Sequence, residues 1–126
     1  MKTALIVEDS KTELTMISTC LKQIGLEIYT AKSGEEALEK INHNTPDLIV
    51  LDVVLPGRSG YEICRNLKNE TETSQIPIVL CSTKKTEMDK FWGMKQGADA
   101  YLEKPLDRDE LIRTVKQLIE RAGKSK

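Results

Sequence analysis

Cysteine, aromatic residues and an excess of charge of either sign are all scarce in this 126-residue chain. Its three cysteines, Cys20, Cys64 and Cys81, are far apart and form no CxxC pair. That excludes a disulfide framework or a cysteine zinc site and points to a reducing, cytoplasmic setting. Against 19 basic residues stand 20 acidic ones, so the net charge is −1 and no polycationic surface for nucleic acid is expected. No apolar run approaches the ~20 residues that span a bilayer; the longest, Leu48 to Leu55, is interrupted by Asp52. The run Ala4 to Val7 is too short for a signal peptide, and Glu8 and Asp9 follow at once. No membrane partner is therefore expected. What is present, 39% apolar and 31% charged residues, suits one globular domain over residues 1–126, with no second core.

Short apolar runs alternate with stretches of helical period. The runs are Ala4–Val7, Ile28–Thr30, Leu48–Leu51, Ile78–Cys81 and Ala100–Leu102. Most are continuously apolar, as strands become when helices cover both faces of a parallel sheet. Between them lie helical stripes such as Leu14, Ile17, Leu21 and Ile24, and Leu111, Ile112, Val115, Leu118 and Ile119. Ser10-x-x-Glu13, Ser33-x-x-Glu36, Ser59-x-x-Glu62 and Asp107-x-x-Glu110 read as capping boxes. The fourth helix offers Thr86 or Thr83 as a cap. Gly25 and Gly97 close the first and fourth helices, and residues 122–126 are expected to fray. Met88, Phe91, Met94 and Ala98 form a stripe that predicts the buried face of the fourth helix, with Trp92 beside it. Five β–α units of this kind predict an α/β fold, a doubly wound five-stranded parallel sheet.

In such sheets ligands bind beyond the carboxyl ends of the strands. There the chain places Glu8 and Asp9 after the first strand, Asp52 after the third, Ser82 and Thr83 after the fourth, and Glu103 and Lys104 after the fifth. Converging carboxylates repel unless a cation relieves them, and an all-oxygen donor set favours Mg²⁺. A bound Mg²⁺ with open positions seats a phosphoryl oxygen, and Lys104 with a hydroxyl completes the cradle.

The chain resembles the receiver domains of two-component response regulators, of the single-domain kind typified by the chemotaxis regulator. The marks are Val7-Glu8-Asp9, Leu51-Asp52 through Gly57 with Ser59-Gly60, Ile76 through Ser82, Gly97 through Tyr101, and Lys104-Pro105. The resemblance implies the flavodoxin-like strand order 2-1-3-4-5. It implies Asp52 as the phosphoacceptor from a sensor histidine kinase or phosphotransfer protein, and Mg²⁺ held by Glu8, Asp9, Asp52 and the backbone carbonyl of Val54. Ser82 matches the switch hydroxyl, Lys104 the lysine that pairs with the phosphoryl group, and Tyr101 the aromatic whose ring follows the hydroxyl. The peptide bond before Pro105 is commonly cis in the family. The readout face for a downstream protein target is then helix four, strand five and helix five, with Trp92, Lys95, Tyr101 and Glu103. Phe91-Trp92-Gly93 with Gln96-Gly97-Ala98 also resembles receivers of type IV pilus motility, so motility or taxis control is implied.

Some residues depart from the pattern. Thr83 stands where the family prefers alanine or glycine, Glu8 stands for the usual aspartate, and Val54 and Lys84 occupy positions that tune hydrolysis of the acyl phosphate. Trp92 reads either as a rim residue or as a partner anchor. His43 is a lone loop residue, neither ligand nor phosphodonor. A haloacid-dehalogenase-type phosphatase would want a second Asp at position 54, and a flavodoxin would want a Ser, Thr and Gly loop after strand one. A receiver that binds without phosphorylation is a third alternative. The chain ends soon after the fifth helix, so the expectation is a monomeric signalling domain without an output domain, catalysing only its own phosphorylation and dephosphorylation.

Overall fold

The computed structural model describes residues 2–124. Its elements run β1 (Thr3–Val7), α1 (Lys11–Gln23), β2 (Glu27–Ala31), α2 (Gly34–His43), β3 (Leu48–Asp52), α3 (Gly60–Asn69), β4 (Ile78–Ser82), α4 (Glu87–Lys95), β5 (Ala100–Glu103) and α5 (Arg108–Lys124). All strand pairs are parallel, in the order β2-β1-β3-β4-β5. Among the described residues no helix is long and apolar enough to cross a membrane.

Strand side chains alternate between faces, so each central strand feeds two cores. Leu5, Val7, Ile49, Leu51, Ile78 and Leu80 pack with Ala37, Ile41, Ile63 and Leu67 of α2 and α3. Ala4, Ile6, Leu48, Val50, Val79 and Cys81 pack on the other face with Ile17 and Leu21 of α1 and Leu111 and Val115 of α5. This two-sided burial explains the unbroken apolar runs of β1, β3 and β4. Edge strand β2 departs from that pattern: Glu27 and Tyr29 are exposed while Ala31 is buried.

The side chains of Ser10, Ser33 and Ser59 accept the expected N–H groups of Glu13, Glu36 and Glu62, and Asp107 accepts that of Glu110. The glutamates do not return the contact as the capping-box reading expected. Glu36 accepts from Lys32 N–H, Glu62 pairs with Arg58, and Glu13 turns to Lys104. The reciprocal box forms at α4, where Thr86 and Asp89 exchange bonds. Gly25 and Gly97 adopt the expected positive φ, 87° and 102°. Residues 122–124, expected to fray, continue α5, while 125 and 126 lie outside the described residues.

The reading of α4 is corrected more deeply. Of the stripe expected to be buried, Met88, Phe91 and Met94 are 72%, 60% and 46% exposed while Ala98 is buried; Trp92, expected beside that stripe, is 49% exposed, and Gly93 is the buried residue of the helix. At about 100° per residue, Met88 and Phe91 lie roughly opposite Gly93, with Trp92 and Met94 on the flanks. A side chain at 93 would meet the Tyr101 ring at 2.7 Å and Leu80 at 3.2 Å. Bare backbone therefore docks on the sheet, and the apolar stripe faces outward.

Candidate functional site

The carboxyl edge of the sheet is held by backbone bonds that cross from strand to strand just past their ends. Glu8 N–H donates to Ala31 O at 2.9 Å, Val53 N–H to Cys81 O at 3.0 Å, and Lys104 N–H to Ser82 O at 2.8 Å. The Lys104–Pro105 peptide is cis. Gly60, first residue of α3, lies so close that a Cβ would fall 2.2 Å from Asp52 O, and its N–H donates to Val53 O at 2.8 Å. A larger residue at 60 would push α3 off the end of β3.

The scaffold brings Glu8, Asp9 and Asp52 together, with one oxygen from each lying within 4.8 Å of the others. Glu8 and Asp52 are buried and Asp9 is exposed. Asp52 Oδ1 accepts Val54 N–H at 3.3 Å, and Oδ2 lies 3.2 Å from Lys104 Nζ. Lys104 donates to Glu8 Oε1 at 2.8 Å and Glu13 Oε2 at 2.7 Å. Burial pushes the Glu8 carboxyl up to about 7, although the Lys104 and Ser10 hydrogen bonds resist, and the Asp52 charge adds to the rise. For Lys104, burial opposes the charge, but the hydrogen bonds to Glu13 and Glu8 and the Asp52 charge prevail and hold the ammonium above its ordinary range. Burial raises the Cys64 thiol to about 11 and pushes Cys81 up as well, so neither is a reactive thiolate.

Ser82 is fully buried. It lies one residue beyond Cys81, the register partner of Asp52, and its Oγ accepts Lys84 N–H at 3.0 Å. Tyr101 donates to Lys84 O at 2.5 Å. Lys84 is thus held at its N–H by Ser82 and at its carbonyl by Tyr101. Tyr61 joins this group, with its hydroxyl 3.4 Å from that of Tyr101 and donating to Asp89 O of α4 at 3.3 Å. Of the expected partner-face residues, Trp92 is exposed, Lys95 stands 5.8 Å over the Phe91 ring, and Glu103 pairs with Lys90 at 3.2 Å.

Sequence reasoning missed Glu13 and Tyr61 as members of the site. Glu13 was absorbed by its capping spacing, and Tyr61 carries no local signal because its partners lie 28 and 40 residues away.

The donor set fits a hard divalent cation. Opposite ligands of an octahedral Mg²⁺ at 2.0–2.1 Å stand about 4.2 Å apart, so carboxylate oxygens within 4.8 Å need only small side-chain adjustments. All are oxygens, and their excess negative charge is countered from the protein by Lys104.

A family model described as the response regulator receiver domain matches residues 4–116. Protein PilH of Pseudomonas aeruginosa is 36% identical over 119 residues, covering 94% of this chain and 98% of that one. The Francisella response regulator 1452 receiver domain superposes with a TM-score of 0.88 at 32% identity, covering 96% of this chain and 98% of that one. Chemotaxis response regulator CheY4 of Vibrio cholerae gives 0.87 at 30% identity, covering 94% and 98%.

Proposed function

The chain belongs to the response regulator receiver domain family, and from that premise we propose that Asp52 is its phosphoacceptor, taking a phosphoryl group from a kinase or phosphotransfer phosphohistidine. The observation that carries this reading is the set Glu8, Asp9 and Asp52 within 4.8 Å, with the Lys104 ammonium 3.2 Å from Asp52. An Asp52 oxygen attacks phosphorus, a P–O bond forms as the P–N bond breaks, and the electron pair returns to the donor imidazole. Glu8, Asp9, Asp52 and the Val54 carbonyl would hold Mg²⁺, which supplies a contact for a phosphoryl oxygen and offsets the acidic charge. Lys104 offers an N–H to the incoming oxygens through a charge-assisted bond.

Phosphorylation gives this edge a charge of about −1.5 to −2 and new acceptors. Ser82 Oγ can donate to one of them, and on turning it gives up Lys84 N–H. Tyr101 holds the same residue by its carbonyl, so the β4–α4 loop and the Tyr101 ring shift together. This biases an equilibrium between two packings. The readout face is α4, β5 and α5, with Trp92, Lys95, Tyr101 and Glu103. The outward apolar stripe of α4 supports a downstream protein target there, and the chemotaxis response regulator CheY4 among the similar structures, with the pilus-receiver resemblance of Phe91-Trp92-Gly93 and Gln96-Gly97-Ala98, favours a role in taxis or pilus motility. We take the chain as one signalling domain whose only chemistry is its own phosphorylation and dephosphorylation.

Incubation with acetyl phosphate and Mg²⁺ should add one phosphoryl group to the intact mass. Chelator or Asp52→Asn should abolish the gain, and equal labelling of the Asn variant would sink the assignment.

A further inference from the structure

Lys104 is the protein cation that meets Asp52, yet its two hydrogen bonds go elsewhere. They go to Glu8 Oε1 at 2.8 Å and to Glu13 Oε2 at 2.7 Å, whereas Asp52 Oδ2 stands at 3.2 Å as an ion pair. Glu8 belongs to the acidic set Glu8, Asp9 and Asp52, and Glu13 is not among the residues of that set. Glu13 is the third residue of α1, its N–H held by Ser10 Oγ, and its side chain is one-third exposed. A glutamate there would suit the helix dipole with its head group in water. Instead it bends to a lysine side chain only 7% exposed.

An ammonium has three donors and no spare charge. Glu8 and Glu13 engage two of them and one is left toward Asp52, so a second contact to oxygens arriving at Asp52 must come from an N–H that Glu8 or Glu13 now holds. If Glu8 turns to a metal, Glu13 remains the carboxylate that keeps hold of Lys104. Resting on the phosphoacceptor reading above, we propose that Glu13 is a positioning residue that competes with the phosphoryl group for Lys104. Its carboxylate holds the ammonium in the resting state and sets how readily the lysine is released to the phosphoryl oxygens. Glu13 touches neither donor nor phosphorus and acts through Lys104 alone.

A double-mutant cycle reads this coupling. Beryllofluoride affinity is measured by calorimetry at saturating Mg²⁺ for the wild-type chain, Glu13→Gln, Lys104→Met and the double variant, with Lys104→Gln as a second background should the Met variant fold poorly. With Lys104 present, Glu13→Gln should bind beryllofluoride about three- to fivefold more tightly, in keeping with the loss of one partly screened carboxylate. It should also reach half-maximal acetyl phosphate labelling at a correspondingly lower donor concentration. Without Lys104 the gain should vanish, because distant charge effects would persist while a contact through the lysine cannot. An unchanged or weaker affinity in Glu13→Gln, or a gain that survives removal of Lys104, overturns the proposal alone. A wild-type chain that takes no beryllofluoride overturns the phosphoacceptor reading and this one together.

Discussion

At the scale of single residues, Glu8 carries the clearest pH dependence. Burial raises its carboxyl from 4.5 to about 7, so the folded chain binds a proton there that the unfolded chain has released. The stabilisation from that proton is fully present below pH 4.5 and is lost as pH rises through 7. At about 1.36 kcal/mol per unit, the ceiling is about 3 kcal/mol. Without metal, denaturation midpoints should therefore fall between pH 4.5 and 7, and Glu8→Gln should flatten that decline. Mg²⁺ held as proposed would compete with the same proton. Its apparent affinity should rise with pH up to about 7 and level off above, and calorimetry in buffers of different ionisation enthalpy should detect proton release near pH 6. An affinity independent of pH across this range would separate Glu8 from the metal. Glu8, Asp9, Asp52 and Lys104 were legible in the sequence because each follows an apolar run, and a strand end fixes where the next side chain can go. Glu13 was not, since Ser10-x-x-Glu13 satisfies a local rule whether the carboxylate caps its helix or reaches a lysine 91 residues away.

At the scale of elements, α4 is the exception among the helices. Its apolar residues face outward and Gly93 is its buried contact with the sheet, so burial contributes little to holding it. The Thr86–Asp89 capping box and the Tyr61 bond to Asp89 O then matter more than caps do elsewhere. Thr86→Ala should cost about 1 kcal/mol. The loss should appear as several-fold faster hydrogen exchange in α4 amides, with the exchange of β3 and β4 nearly unchanged. Equal acceleration across the sheet would show that α4 unfolds only with the whole domain. The misreading of this helix has a physical reason. Met88, Phe91 and Met94 recur at helical spacing, and periodicity marks a coherent face without saying what covers it. Gly93 was the available signal, because a glycine inside a helix costs about 1 kcal/mol relative to Ala and here admits the Tyr101 ring. The strands were more legible: a central parallel strand is buried on both faces, so its apolar run has no other reading once helices alternate with it.

At the scale of the whole molecule, two apolar cores clamp the sheet from either face and leave an acidic edge at its carboxyl end, where Glu8 and Asp52 are buried and Asp9 is exposed. The near-neutral total charge of −1 conceals this, because charge is balanced over the chain and unbalanced at the edge. Glu8, Glu13 and Asp52 meet Lys104 there, with Asp9 beside Glu8 and Asp52, and the repulsion among the carboxylates opposes folding while the cores support it. A cation that binds only the folded edge should therefore raise global stability. At ten times its dissociation constant, Mg²⁺ should add about 1.4 kcal/mol. For a chain of this length that raises the melting temperature by about 5 °C, and chelator should reverse the gain. Asp52→Asn should show the converse. It removes one repelling charge and a proposed metal ligand together, so its metal-free melting temperature should exceed that of the wild type while its response to Mg²⁺ shrinks. A metal-free Asn variant less stable than the wild type would mean that the Asp52–Lys104 attraction outweighs the carboxylate repulsion. The edge would then be a stabilising ion-pair network, and folding would not be poised against an uncompensated site. The two variants separate these cases because Glu13→Gln removes a charge that pairs with Lys104 but is not one of the set Glu8, Asp9 and Asp52. If repulsion dominates, it too should raise metal-free stability while leaving the Mg²⁺ response largely intact.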